Sequence, residues 1–128
     1  MGHHDESLLL TVGHLCYNTG HYVIDAIQSV QASAPDGTEQ IVIDDGSSDS
    51  SARIAEACGA TVIRHRSNQG YGAALKTLFQ TTSTRDSDVL VVLDSDGQHD
   101  TSDIPKLIQP ILDGEADFTI GSRFVEGG

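Results

Sequence analysis

Residues Val89-Leu90-Val91-Val92-Leu93 form an unbroken apolar run that ends at once in Asp94-Ser95-Asp96-Gly97. A run with no polar alternation cannot be a strand with one wet face. It reads as a strand buried on both sides, the situation of a parallel sheet sandwiched between helices. On an extended backbone residues i and i+2 share a face, so Asp94 and Asp96 can converge on one cation, and Gly97 then permits a sharp turn. The carboxyl ends of strands are where open α/β sheets bind ligands. Two hard oxygen donors on such a rim suit Mg²⁺ or Mn²⁺ sharing a phosphate, rather than a closed structural site.

The rest of the chain keeps the same alternation. Leu8 to Leu15 reads as a first strand, and Tyr22 to Ala32 as a helix with Val23, Ala26, Ile27 and Val30 on one face. Pro35-Asp36-Gly37 is a turn before a second strand, Gln40 to Ile43. Ser47 or Ser48 is the expected N-cap of a helix carrying Ile54, Ala55 and Cys58, with Gly59 as its stop. A short third strand spans Thr61 to Ile63, and a helix over Gly72 to Gln80 turns Ala74, Leu75, Leu78 and Phe79 inward. After Val89 to Leu93, Thr101 or Ser102 caps a helix entered at Ile104-Pro105, with Pro110 kinking it or ending it early. Asp113-Gly114 closes that helix, and Phe118 to Ile120 is a fifth strand. Strands and helices alternating at these lengths predict a mostly parallel sheet with right-handed crossovers and helices on both faces.

At 128 residues the chain is one domain, residues 8–128, behind a polar tail at residues 1–7 that is expected to be disordered. A formal net charge of -12 argues against nucleic acid or an anionic membrane as a general electrostatic partner. Any anionic ligand then needs a metal ion and a few well-placed Arg or Lys side chains. Cys16 and Cys58 form no C-x-x-C, so neither a disulfide framework nor structural zinc is expected, and a reducing cytoplasm fits. No apolar run approaches a membrane span. The sequence given stops shortly after the fifth strand. The favoured expectation is the first part of a longer protein; a sheet that ends early or an edge covered by a partner are the alternatives, and an uncovered edge predicts self-association.

Four loops should open on one rim. Cys16-Tyr17-Asn18-Thr19-Gly20 offers an aromatic ring for stacking. Asp44-Asp45-Gly46-Ser47-Ser48-Asp49 offers a carboxylate to a base or ribose, although by itself it is equally a turn and helix cap. Asn68-Gln69-Gly70-Tyr71-Gly72 is a glycine-rich entry to a helix, short of a dinucleotide fingerprint because Leu75 stands where Gly or Ala is needed. The Asp94/Asp96 pair is the fourth, and Arg123 adds a guanidinium suited to oxyanions. Together these describe a nucleotide-diphosphate site. An EF-hand starting at Asp94 is excluded by His99 and Pro105. A dehalogenase-type phosphatase, which wants Thr where Gln98 stands, remains the runner-up enzyme.

The ordered set Tyr17-Asn18, Val42-Ile43-Asp44-Asp45-Gly46-Ser47-Ser48-Asp49, Asn68-Gln69-Gly70-Tyr71-Gly72-Ala73-Ala74, Asp94-Ser95-Asp96-Gly97-Gln98-His99 and Ile120-Gly121-Ser122-Arg123-Phe124 resembles the family 2 glycosyltransferases, closest to the dolichyl- or polyprenyl-phosphate mannosyl/glucosyltransferase branch. The resemblance spans Leu8 to Gly128. It implies a Rossmann-like GT-A fold, truncated after the fifth strand, a nucleotide-diphosphate sugar donor (GDP-mannose or a UDP-sugar), Mg²⁺ or Mn²⁺, and a lipid phosphate as candidate acceptor at the cytoplasmic face of a membrane. By position, Asp45 contacts the nucleoside with Tyr17 and Ile43 lining its pocket, and Gly70 and Ser95 lie on the donor path. Asp94, Asp96 and Gln98 surround the metal and diphosphate, and Arg123 reaches the donor phosphate or sugar, Asp96 and Arg123 being the catalytic pair. The family's Pro-x-Tyr-Asn-Glu is here Leu15-Cys16-Tyr17-Asn18-Thr19, without the acid. A fragment that binds nucleotide without transferring sugar is the non-enzyme alternative.

Overall fold

The structure is a computed structural model, and it describes residues 9–19, 21–34, 36–85 and 87–94. In chain order these form β1 (Leu10–Cys16), α1 (His21–Ser33), β2 (Glu39–Asp44), α2 (Ser51–Ala57), β3 (Thr61–Arg64), α3 (Tyr71–Ser83) and β4 (Val89–Asp94). Among the described residues the sheet is four-stranded and parallel, in the order β3-β2-β1-β4. Each element falls where periodicity puts it, with ends moved by one to three residues. The expected helix after Thr101, the strand at Phe118 to Ile120 with its edge, Ser95, Asp96, Gln98 and Arg123 lie outside the described residues, as does Leu8.

Alternation along each strand sorts the core onto two faces. Val23 and Ile27 of α1 and Ala55 of α2 pack on Cys16 and Val42, while Val30 packs with Leu10, Val12, Val89, Val91 and Leu93. On the other face Ala74 and Leu78 of α3 meet Leu15, Ile41, Ile43 and Val92. Close approach there depends on Gly13, where a Cβ would stand 2.7 Å from Leu78 Cδ1. Phe79, expected to face inward, is instead 47% exposed. The α3 seam runs through Ala74 and Leu78, and Phe79 stands about 100° further round the helix, off that line.

A pair of buried polar side chains lies on the α1 face. His14, in the central strand, is wholly buried, and its Nε2 lies 2.7 Å from Gln40 Oε1. Gln40 Nε2 donates to the Ile27 carbonyl at 3.1 Å, so its Oε1 is the acceptor and His14 the donor. That leaves His14 Nδ1 buried without a partner. Burial holds the imidazole neutral, with its pKa lowered to about 4 against the counter-effect of the Gln40 bond.

Candidate functional site at the carboxyl rim of the sheet

The strand register sets the rim. Cys16 pairs with Asp44 and Leu15 with Asp94, so β1, β2 and β4 end level with one another. From β1 the sheet grows outward through β2 to β3 on one side and to β4 on the other. That reversal of order makes a topological switch point between β1 and β4, the crevice where open α/β sheets take ligands. Asp94 ends β4 at this point.

The loops after β1 and β2 clasp each other. Asn18 adopts a left-handed φ of 52°, a conformation Asn tolerates better than most residues. Its backbone N–H donates to Ser47 Oγ at 2.8 Å, and its Oδ1 accepts the Ser48 N–H at 2.8 Å. Asp45 N–H reaches the Cys16 carbonyl at 2.9 Å. Ser47 and Ser48 are therefore engaged here rather than capping α2. The N-cap position falls to Ser50, whose side chain makes no cap bond, and Asp49 Oδ1 instead accepts the Ser51 N–H at 3.0 Å.

Tyr17, at the head of the first loop, is 51% exposed and free to offer a ring face. Ile43, expected in a ligand pocket, is wholly buried against α3. Asp44 is also wholly buried: Oδ1 accepts the Ser47 N–H at 3.0 Å, and Oδ2 lies 3.5 Å from Arg64 Nε.

Asp45 ties the second loop to the third. Its Oδ1 takes His65 Nδ1 at 2.7 Å and the Gln69 N–H at 2.9 Å, and its Oδ2 takes the Gly70 N–H at 2.8 Å. Burial alone would raise its pKa; the His65 bond and the two amides outweigh that and hold it below the usual carboxylate value. A carboxylate has about four acceptor positions. Three are filled from within, two on Oδ1 and one on Oδ2. Gly70, expected on the donor path, has its N–H committed to Asp45 and turns the chain into α3 at φ 98°.

Asp45→Asn tests this knot. The new amide would point N–H at one of the N–H groups it now accepts, so unfolding in urea should show a loss of about 2–3 kcal/mol. A midpoint equal to that of the unaltered protein would show the three bonds to be dispensable.

His65 and Asn18 were not singled out as site residues from the sequence. Asn18 carried a faint signal as an Asn in a loop with no glycine beside it. His65 carried none, because its partners lie 20 and 12 residues away. Among the described residues, no three His, Cys, Asp or Glu side chains group as a metal site. Nor is any described helix long and apolar enough to cross a membrane.

Comparison with known proteins agrees with this geometry. The chain is 39% identical over 94 residues to a dolichol-phosphate mannosyltransferase of Pyrococcus furiosus, covering 70% of this chain and 26% of that protein. It is 28% identical over 124 residues to a UDP-N-acetylglucosamine–dolichyl-phosphate N-acetylglucosaminyltransferase of Methanococcus voltae, covering 84% of this chain and 49% of that one. A Mycobacterium tuberculosis glucosyl-3-phosphoglycerate synthase, solved with Mn²⁺, UDP and glucosyl-3-phosphoglycerate, superposes with a TM-score of 0.68 at 25% identity, over 84% of this chain and 41% of that one. The chain thus spans a quarter to a half of the length of these relatives. The profile described as "Glycosyl transferase family 2" matches residues 11–128, nearly everything after the polar tail. A parallel sheet with its order reversing beside an Asp-ended strand, on a chain matched by that profile from its first strand onward, places this protein in glycosyl transferase family 2 rather than among dehalogenase-type phosphatases.

Proposed function

We propose that the chain provides the donor-binding part of a metal-dependent, inverting glycosyltransferase that moves a hexose from a nucleotide-diphosphate sugar to an acceptor, with a polyprenyl phosphate as the acceptor class. The observation that carries this reading is the convergence of Tyr17, the Asn18–Ser47 clasp, Asp45 and the Asp94 end of β4 on one rim, at the switch point of the sheet. The relatives named for UDP-linked and dolichyl-phosphate substrates support the donor and acceptor classes.

Tyr17 stacks on the nucleobase, and the remaining acceptor position of Asp45 receives a hydrogen bond from the nucleoside. The Asp94-x-Asp96 pair with Gln98 is an all-oxygen donor set of the kind that Mg²⁺ and Mn²⁺ prefer, and these residues would hold the ion. Bound there, the ion supplies Lewis-acid stabilisation to the departing diphosphate. Arg123 adds a fixed positive charge near the donor phosphate or sugar. Breaking the anomeric bond builds positive charge on the sugar, and attack from the opposite face inverts the centre. A lipid phosphate is already anionic and needs no general base, whereas a hydroxyl acceptor does.

Titration calorimetry with UDP and with GDP is the direct test. One of them should bind in Mn²⁺ or Mg²⁺ and lose at least about tenfold in affinity in excess EDTA or in Asp96→Asn. Equal binding in EDTA would remove the metal from the reading. Transfer from a labelled donor to polyprenyl phosphate separates an active enzyme from a fragment that only binds.

A further inference from the structure

We propose that His65, anchored by Thr77, is a positioning residue that sets the donor-contacting carboxylate of Asp45. This rests on the reading of Asp45 as a nucleoside contact, and adds the device that aims it. The chain of contacts is short and nearly closed to solvent. His65 Nδ1 lies 2.7 Å from Asp45 Oδ1, and His65 Nε2 lies 2.8 Å from Thr77 Oγ1. The side chains of His65 and Asp45 are only 9% and 6% exposed. Thr77 Oγ1 also lies 3.0 Å from the Ala73 carbonyl inside α3, its one proton shared between that oxygen and His65 Nε2.

Three features make this more than a packing contact. An ionised carboxylate only accepts, so the Asp45 bond requires a proton on Nδ1 and fixes how the ring is turned. The His65 N–H donates to the Asp44 carbonyl at 2.9 Å, so the residue is fastened to β2 through its backbone as well. Finally, Gln69 and Gly70, which donate to the same carboxylate, lie in the segment between His65 and Thr77. The turn from β3 into α3 is thereby drawn around Asp45, with the imidazole as a rigid strut between strand and helix. Rotation of the carboxylate would break bonds to all three donors at once. The acceptor position left on Oδ2 is therefore fixed before any ligand arrives, which spares the complex the cost of ordering it.

The test uses the intact protein and two readouts. Amide exchange at Gln69 and Gly70 is followed by NMR without ligand, and UDP and GDP are each titrated in Mn²⁺. Thr77→Val keeps the shape of α3 and removes the outer anchor, together with the hydroxyl's bond to the Ala73 carbonyl. It should speed exchange at both amides several-fold and weaken the bound nucleotide about tenfold, with the melting temperature nearly unchanged. His65→Asn, whose side-chain amide can replace the Nδ1 donor but cannot reach Thr77, should match Thr77→Val. His65→Leu, which loses both contacts, should be clearly worse in both readouts. Unchanged exchange at Gln69 and Gly70 in Thr77→Val and His65→Leu would overturn the proposal. So would faster exchange with undiminished nucleotide affinity, since the strut would then not serve the donor. If the unaltered protein binds neither UDP nor GDP, the donor reading itself fails, and the exchange data alone decide whether His65 sets Asp45.

Discussion

Gly46→Ala should cost about 3–5 kcal/mol and leave much of the chain unfolded at room temperature. Gly46 has φ 82°, and a Cβ there would fall onto the carbonyl carbon of Ser67 and 2.5 Å from the nitrogen of Asn68. Both obstacles are backbone, so no side chain can swing aside. Relief would require pushing the loop after β2 away from the loop before α3, and Asp45 with its three donors sits at that junction. Gly59→Ala is the control. Its φ is 99°, but nothing lies within 4 Å of the added carbon, so only backbone strain of about 1–2 kcal/mol is expected. Urea midpoints for the two variants should differ accordingly, and similar losses would mean that the contact with Ser67 and Asn68 is not tight.

The second large effect is a loss of stability on mild acidification, carried by His14. Its folded-state pKa of about 4 is below the ordinary value of 6.5, so the unfolded chain takes up a proton that the native one refuses. Well above pH 6.5 the residue is neutral in both states and contributes no pH dependence. As pH falls from 6.5 towards 4, stability should drop by about 2 kcal/mol at pH 5 and about 3 kcal/mol at pH 4. Asp45 acts lower on the scale: its depressed pKa stabilises the fold above the ordinary carboxylate value, and that stability disappears as pH falls through the folded value. His14→Leu removes the titrating group and leaves Gln40 Oε1 without its donor. The variant should be about 1–3 kcal/mol weaker at pH 7 but flatter between pH 7 and 5. Denaturant midpoints across that range, compared between the two proteins, check both statements. A parallel pair of curves would assign the acid sensitivity elsewhere.

Both residues show where sequence reading reached its limit. Gly46 sits in a segment that reads as a turn and helix cap. That the loop before α3 comes to lie against it could not be read from either segment, because the contact links residues 21 apart in chain position. His14 breaks an apolar strand and could have been taken as a residue facing solvent. Only the placement of α1 over β1, with Gln40 beneath it, buries the ring and withholds a partner from Nδ1.

Over the described residues, periodicity alone determined the alternation of strands and helices and the parallel sheet, because a period of 2 or 3.6 residues is a local property. The ordered motifs likewise determined the family, since each lies within a few consecutive residues. What tertiary structure decided was which donors meet which acceptors. It buried Ile43 against α3, turned Phe79 to solvent, moved Ser47 and Ser48 from a helix cap to a clasp on Asn18, and set His65 and Thr77 behind Asp45. Those pairings depend on how elements far apart in the chain pack against one sheet, and hydrogen bonds of about 3 Å are settled only once that packing is fixed.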